Sequence, residues 1–204
     1  MRAAVVLFEG FEELDALGPF AVLSYAGRGG ADVEVELVTV EPAQRVTAAH
    51  GLEVTPHGTL DGSYDLVIVP GGGWNSRART GARAEAERGD LPDALRRAHA
   101  RGTAMASVCT GGMLLAAAGV TRGRPAVTHR GALDELAAMG ADVVPERVVD
   151  AGDLVTSGGV TAGIDMALWL VEREFGRELA DGIAREMEHE RVGGVWRAGQ
   201  TGAE

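Results

Sequence analysis

Lysine is absent from this 204-residue chain, whose 19 basic residues are all arginines. Without an ε-ammonium group there is no Schiff-base lysine and no P-loop lysine, so both chemistries are excluded. Cysteine is reduced to Cys109 alone. That excludes an intrachain disulfide and a multi-cysteine metal site, and it fits a reducing compartment. Positive charge is also scarce: 30 acidic residues against 19 basic ones leave a formal charge of −11. Phosphate backbones require clustered positive charge, so nucleic acid is not an expected partner. No apolar run approaches the ~20 residues that cross a bilayer. The strand-like opening Ala3–Phe8 lacks the basic leader, apolar stretch and cleavage site of a secretory signal. A soluble, cytoplasmic protein with no membrane partner is expected.

What the chain holds in quantity is small and aliphatic: 46% hydrophobic residues with only 4% aromatic, and 30 glycines. This length suits one well-cored domain, read as residues 1–190 with a frayed, Gly-rich tail over 191–204. Strand-like and helix-like stretches alternate, the pattern of a parallel sheet with crossover helices. Strands are expected at 2–8, 33–40, 66–69, 103–108, 125–129 and 154–157, with shorter β-like pieces at 142–145 and 147–150. Residues 45–49 and 52–56 read as a small hairpin. Helices are expected at 14–25, 91–101, 132–139, 164–175 and 178–190. Glu34 and Glu36 alternate with apolar residues and mark a half-exposed or edge strand, whereas Leu66-Val67-Ile68-Val69 reads as buried.

Cys109 sits where a strand breaks into a helix. Met105-Ala106-Ser107-Val108 precedes it, Thr110-Gly111-Gly112 follows, and Met113–Ala118 continues as a helical apolar run. A small residue two before and a glycine two after suit a nucleophile elbow, because the turn is tight and the helix packs close to the strand. A thiol presented at a helix start meets N–H groups and the positive end of the helix dipole, which favour thiolate. The opposing reading is a small buried hydrophobe.

Open parallel sheets bind ligands at the carboxyl ends of their strands. Four turns fall at such ends: residues 9–15, 70–74, 109–112 and 128–129. Pro70-Gly71-Gly72-Gly73 can offer N–H groups to developing negative charge, or it is a plain tight turn. It lacks the G-x-G-x-x-G spacing of a dinucleotide site. An acid or base beside the thiol is one of Glu12, Glu13 and Asp15, all at the start of the first helix, where carboxylates also serve as caps. The residues themselves leave these three open. His129 is either an imidazole partner for the thiol or a structural histidine. His50, His57, His99 and His189 read as surface residues, and Glu186–Arg191 as a solvated helical face.

Together, several segments resemble the ThiJ/PfpI superfamily over nearly the whole chain to Phe175. They are Phe8-Glu9-Gly10, Leu14-Asp15-Ala16-Leu17-Gly18-Pro19, Val69-Pro70-Gly71-Gly72 and Ser107-Val108-Cys109-Thr110-Gly111. To these are added Ala118-Gly119, Gly123-Arg124, Thr128-His129, Glu146-Arg147-Val148-Val149 and the stretch from Thr156 to Asp165. The likeness is greatest to the isonitrile hydratase branch and to the sensor-like domains of AraC-type regulators. It implies an α/β, flavodoxin-like, doubly wound and mostly parallel sheet with helices on both faces and a cysteine nucleophile elbow.

The resemblance also implies roles. Cys109 would be the nucleophile and Asp15, from Leu-Asp-x-x-Gly-Pro, the general acid and base, where the wider superfamily usually carries glutamate. Thr110 matches the hydratase pattern, with histidine there in protease-like members. Amides near Gly72, Gly73 and Thr110 would stabilise charge, His129 would be accessory, and no metal or cofactor is implied. The implied reaction is hydration of an isonitrile to an N-substituted formamide through a Cys109 thioimidate, by a lyase that acts on a small electrophile and forms homodimers through its first helix. Rival readings are glyoxalase or deglycase chemistry on α-oxoaldehydes and, outside enzymes, a thiol-based sensor or stress-response protein. A class I amidotransferase is disfavoured, since no His-x-Glu pair follows the elbow in the right half of the chain. Two departures bear on the substrate: Arg130 stands where the hydratases typically have tryptophan, and residues 74–81 carry extra arginines. Neither a helix-turn-helix nor a basic extension follows, so the full transcription-factor reading fails.

Overall fold

The computed structural model describes residues 1–61 and 64–199. Its strands are β1 (Arg2–Val6), β2 (Glu34–Thr39), β3 (Val46–Thr47), β4 (Glu53–Val54), β5 (Gly58–Thr59), β6 (Leu66–Val69), β7 (Ala104–Ser107), β8 (Pro125–Ala126), β9 (Asp142–Val143), β10 (Val148–Asp150), β11 (Leu154–Ser157) and β12 (Val195–Arg197). Its helices are α1 (Glu13–Arg28), α2 (Ala82–Arg88), α3 (Asp90–Ala100), α4 (Gly111–Ala117), α5 (Leu133–Ala138), α6 (Ala162–Phe175) and α7 (Arg177–Glu186), with a 3₁₀ turn at Arg130–Ala132.

One sheet runs in the order β12-β10-β11-β7-β6-β1-β2-β5. Its strands are parallel except where β10 pairs antiparallel with β11. Ala3 to Val6 of β1, and every residue of β6 and β11, are buried. Neighbouring side chains on a strand point to opposite faces, so unbroken burial means that both faces are covered. One layer is formed by α1, α6 and α7, and the other by α2, α3 and α4. This is the α/β, flavodoxin-like arrangement. From β1 the chain passes to β2 on one side, then returns to β6 on the other. That reversal opens a crevice at the carboxyl ends of the strands, and the turns after β1, β6 and β7 meet there.

The differences from the sequence expectation have local causes. α2 and β5 fall in stretches with little apolar periodicity and were not expected; α2 is set by helix formers between Gly81 and Gly89. β8 keeps only two of the five residues expected and pairs with β9 in a separate sheet, so Thr128-His129 follow a strand outside the main one. α7 stops at Glu186, so residues 187–191 are not a helical face. The tail is not frayed throughout, because Val195–Arg197 pair with β10 and cover its outer edge. The Arg197 guanidinium stacks 5.3 Å over the Trp169 ring. The rest of the expected tail, residues 200–204, lies outside the described residues. Among the described residues, no helix is long and apolar enough to cross a membrane.

Candidate active site

Cys109 occupies the turn between β7 and α4 with φ +55°, a left-handed conformation rare outside glycine. Such strain costs on the order of 1–3 kcal/mol and persists only where surroundings over-determine it. Here they do. The Cys109 N–H donates to the Gly158 carbonyl at 2.8 Å, and the Thr128 hydroxyl donates to the Cys109 carbonyl at 2.8 Å. Two residues on, a Cβ at Gly111 would overlap the Val69 carbonyl oxygen. The glycine read from sequence is therefore a contact requirement of α4 against β6.

Asp15 is fully buried in the first turn of α1. Its neighbours explain why it, and not Glu12 or Glu13, meets the thiol. Glu12 caps the helix, its Oε2 accepting the Asp15 N–H at 2.9 Å. Glu13 turns outward, where its carboxylate accepts the His50 N–H and contacts His50 Nδ1, each at 2.7 Å. Asp15 Oδ2 accepts the Gly71 N–H at 3.0 Å, while Oδ1 is buried without a hydrogen-bond partner among the described residues. Burial, then the charge of Glu12, pushes Asp15 up from 3.8 to about 8, against the pull of the Gly71 N–H. Burial, then the charge of Asp15, pushes the Cys109 thiol up from 9.0 to about 12, although the Thr110 and Val160 N–H groups pull it down. This corrects the expectation of a thiolate favoured by the helix start. The donors are present, but desolvation and the facing carboxyl outweigh them. The two acids compete for protons as a pair.

Thr110 Oγ1 accepts the Gly72 N–H at 3.0 Å. The Gly72 amide, expected to serve a developing anion, is thus already engaged. Its residue is glycine for steric reasons, since φ is +120° and a Cβ would stand 2.5 Å from the Gly10 carbonyl oxygen. The Gly73 N–H donates to no group among the described residues. The Thr110 N–H faces the sulfur. Gly71, which holds Asp15, was not singled out from sequence.

Val160 was missed as well. It is a β-branched residue at φ +41°, and its N–H pulls the Cys109 thiol pKa down. The available signal was a valine between Gly159 and Thr161 in an otherwise small-residue turn. Asp165 in the first turn of α6 braces that turn: Arg147 Nε donates to Oδ2 at 2.8 Å, and an Arg147 terminal nitrogen donates to Thr161 Oγ1 at 3.2 Å. His189, expected at the surface, is half-buried with Nε2 at 2.9 Å from Asp165 Oδ1. That correction follows from α7 ending early, which lets residue 189 turn inward. Beside the Val160 turn lies a cavity of about 390 Å³, lined by His129, Arg130, Leu133, Glu146 and Arg147 among others. Among the described residues Glu12, Glu13 and His50 could approach one ion, but their atoms are taken up by the cap and by each other.

A strained cysteine at a parallel-strand crossover, answered by a buried carboxyl from the first helix, places the chain among the α/β proteins built on a cysteine elbow. It belongs to the DJ-1/PfpI family, whose pattern matches residues 1–173. Among curated relatives, isonitrile hydratase of Pseudomonas putida is 36% identical over 191 residues, covering 93% of this chain and 78% of that one. The Parkinson disease protein 7 homolog of Danio rerio is 29% identical over 185 residues, covering 88% and 92%. Among solved structures, a ThiJ/PfpI family protein from Pseudomonas syringae superposes with a TM-score of 0.82 at 25% identity, covering 94% of this chain and 76% of that chain.

Proposed function

We propose that this chain is a cofactor-independent lyase that adds water to an isonitrile. The observation that carries the reading is the Asp15–Cys109 pair: a buried carboxyl that keeps its proton toward pH 8, facing a thiol. Such a group is an acid at neutral pH, and an isonitrile carbon needs one proton as it gains one nucleophile. The similarity to an isonitrile hydratase supports the same reaction.

The reactive arrangement of the pair is thiolate with carboxylic acid, the sulfur held by the Thr110 and Val160 N–H groups. Sγ attacks the terminal carbon of R–NC while Asp15 protonates that carbon, leaving R–N=CH–S and an Asp15 carboxylate. The carboxylate takes a proton from water as the oxygen adds, then passes it to nitrogen. Loss of the hydroxyl proton to Asp15 expels the sulfur, giving R–NH–CHO and restoring the pair. The Gly73 N–H is the amide left for developing charge, while Thr110 serves by fixing Gly72 and presenting its own N–H. In this reading the protein works as a cytoplasmic homodimer.

Cys109→Ala and Asp15→Asn should each abolish conversion of a simple alkyl isonitrile, measured as formamide by chromatography. Retained turnover in Cys109→Ala rules the mechanism out. Methylglyoxal turnover without isonitrile turnover would favour the glyoxalase or deglycase reading. No turnover of either, with a mass gain on Cys109 under mild peroxide, would favour a thiol sensor.

A further inference from the structure

His129 is the site candidate that the reaction above leaves without a task, and its hydrogen bonds fix where its proton lies. The Gly131 backbone N–H donates to Nδ1 at 3.0 Å, and the Asn75 amide nitrogen lies 3.0 Å from the same atom. A backbone N–H can only donate, so Nδ1 presents its lone pair and the ring proton sits on Nε2. Nε2 itself bonds to no group among the described residues. The edge carrying it lies over Gly159, where a Cβ would stand 2.8 Å from Cδ2 and 3.5 Å from Nε2. Both residues adjoin partners of the elbow: the Gly158 carbonyl accepts the Cys109 N–H and the Thr128 hydroxyl donates to the Cys109 carbonyl, each at 2.8 Å. His129 and Val160, whose N–H pulls the thiol pKa down, line one cavity. An imidazole held this way cannot deprotonate the thiol through Nδ1, and through Nε2 only after losing its own proton. It is built to donate.

We propose that His129 contacts the substrate as a hydrogen-bond donor, its Nε2–H bonding the nitrogen of the Cys109 thioimidate. This rests on the hydratase reading and adds a residue to it. The chemistry selects that atom. The nitrogen of an isonitrile has its electrons in the triple bond and no lone pair to accept with. Attack at carbon returns a lone pair to nitrogen, so the contact exists only once the S–C bond is forming. Interactions gained on the way to the transition state raise kcat and leave KM nearly alone. No proton moves in this contact; it draws charge onto nitrogen and opens the imidate carbon to water. Gly131 and Asn75 are then positioning residues that set the tautomer.

The tautomer is read directly by long-range ¹H–¹⁵N spectra of ¹⁵N-labelled protein near neutral pH. The expected pattern is a bare Nδ1 and a protonated Nε2 for His129. A protonated Nδ1 overturns the proposal and leaves the hydratase reading intact. Kinetics test the role. His129→Leu should lower kcat for an alkyl isonitrile by about 10- to 100-fold, with KM within about twofold, the range for loss of a transition-state donor. His129→Gln, whose amide N–H₂ reaches the Nε2 position, should restore kcat to within about fivefold of the wild type. Loss of turnover in both variants to the same extent overturns the donor role, as does full activity in His129→Leu. An unchanged rate of Cys109 alkylation by iodoacetamide shows that the variants keep the elbow. If the wild type converts no isonitrile, the imidate nitrogen falls as acceptor together with the hydratase reading, and the spectra still report the tautomer.

Discussion

Replacing Asp15 with asparagine should make the fold progressively more stable than the wild type as pH rises from about 5 to 8. The reasoning is a proton balance. In the unfolded chain Asp15 releases its proton near 3.8, whereas in the folded protein burial and Glu12 hold it to about 8. Over that window the folded state carries a proton that the unfolded state lacks, so stability is greatest below 3.8 and declines as pH climbs. Each pH unit costs about 1.4 kcal/mol, and the whole window costs about 6 kcal/mol from this one group. Asparagine does not titrate, and its amide oxygen can keep the Gly71 N–H. Urea denaturation of both proteins at several pH values between about 5 and 8 measures the effect. The stability of Asp15→Asn relative to the wild type should grow by about 1.4 kcal/mol per pH unit. Cys109, pushed up to about 12 from 9.0, changes the balance only above this range. Parallel stability profiles for the two proteins would refute the assignment of a buried, proton-holding Asp15.

Other outcomes follow from the same geometry. The kcat/KM for an isonitrile should rise with pH through about 8, as the pair loses its first proton and the one-proton state fills; a flat profile from about pH 6 to 9 would contradict this. In that state carboxylate with thiol is the major arrangement and thiolate with carboxylic acid the minor, reactive one. Thr110→Val leaves the Gly72 N–H buried without its acceptor and should cost about 1–3 kcal/mol by denaturant titration, whereas Thr110→Ser should cost far less. Gly111→Ala drives a Cβ into the Val69 carbonyl and should destabilise by more than about 3 kcal/mol or prevent folding, read from melting temperature and soluble yield.

Much of the architecture was legible because the information is local. The apolar run 66–69, closed by the Pro70-Gly71-Gly72 turn, is a strand covered on both faces as read, and β11 falls at 154–157 as read. Gly111 announced the elbow because its contact is with the strand next to its own. Elements set by partners were not legible. β12 exists because the edge of β10 is open to receive it, and α2 is a charged helix with little apolar stripe to betray it. His189 looked like a solvated residue until α7 ended three residues before it.

By itself, the order of residues determined that an α/β chain with no lysine, one cysteine and glycine-lined turns would place its thiol where a strand becomes a helix. The residues alone left open which carboxyl faces that thiol. Glu12, Glu13 and Asp15 sit within one helical turn, where each step rotates the side chain by about 100°. The β1–α1 turn docks against the turn after β6, where the Glu12 N–H donates to the Gly71 carbonyl at 2.8 Å. That docking turns Asp15 inward to Gly71 and Cys109, leaves Glu12 as the cap and points Glu13 to His50. The same packing engaged Gly72 with Thr110, brought the Val160 N–H to the sulfur and pinned His129 through Gly131. The setting of the thiol depends on desolvation and on donors from separate segments. Only tertiary structure brings those together.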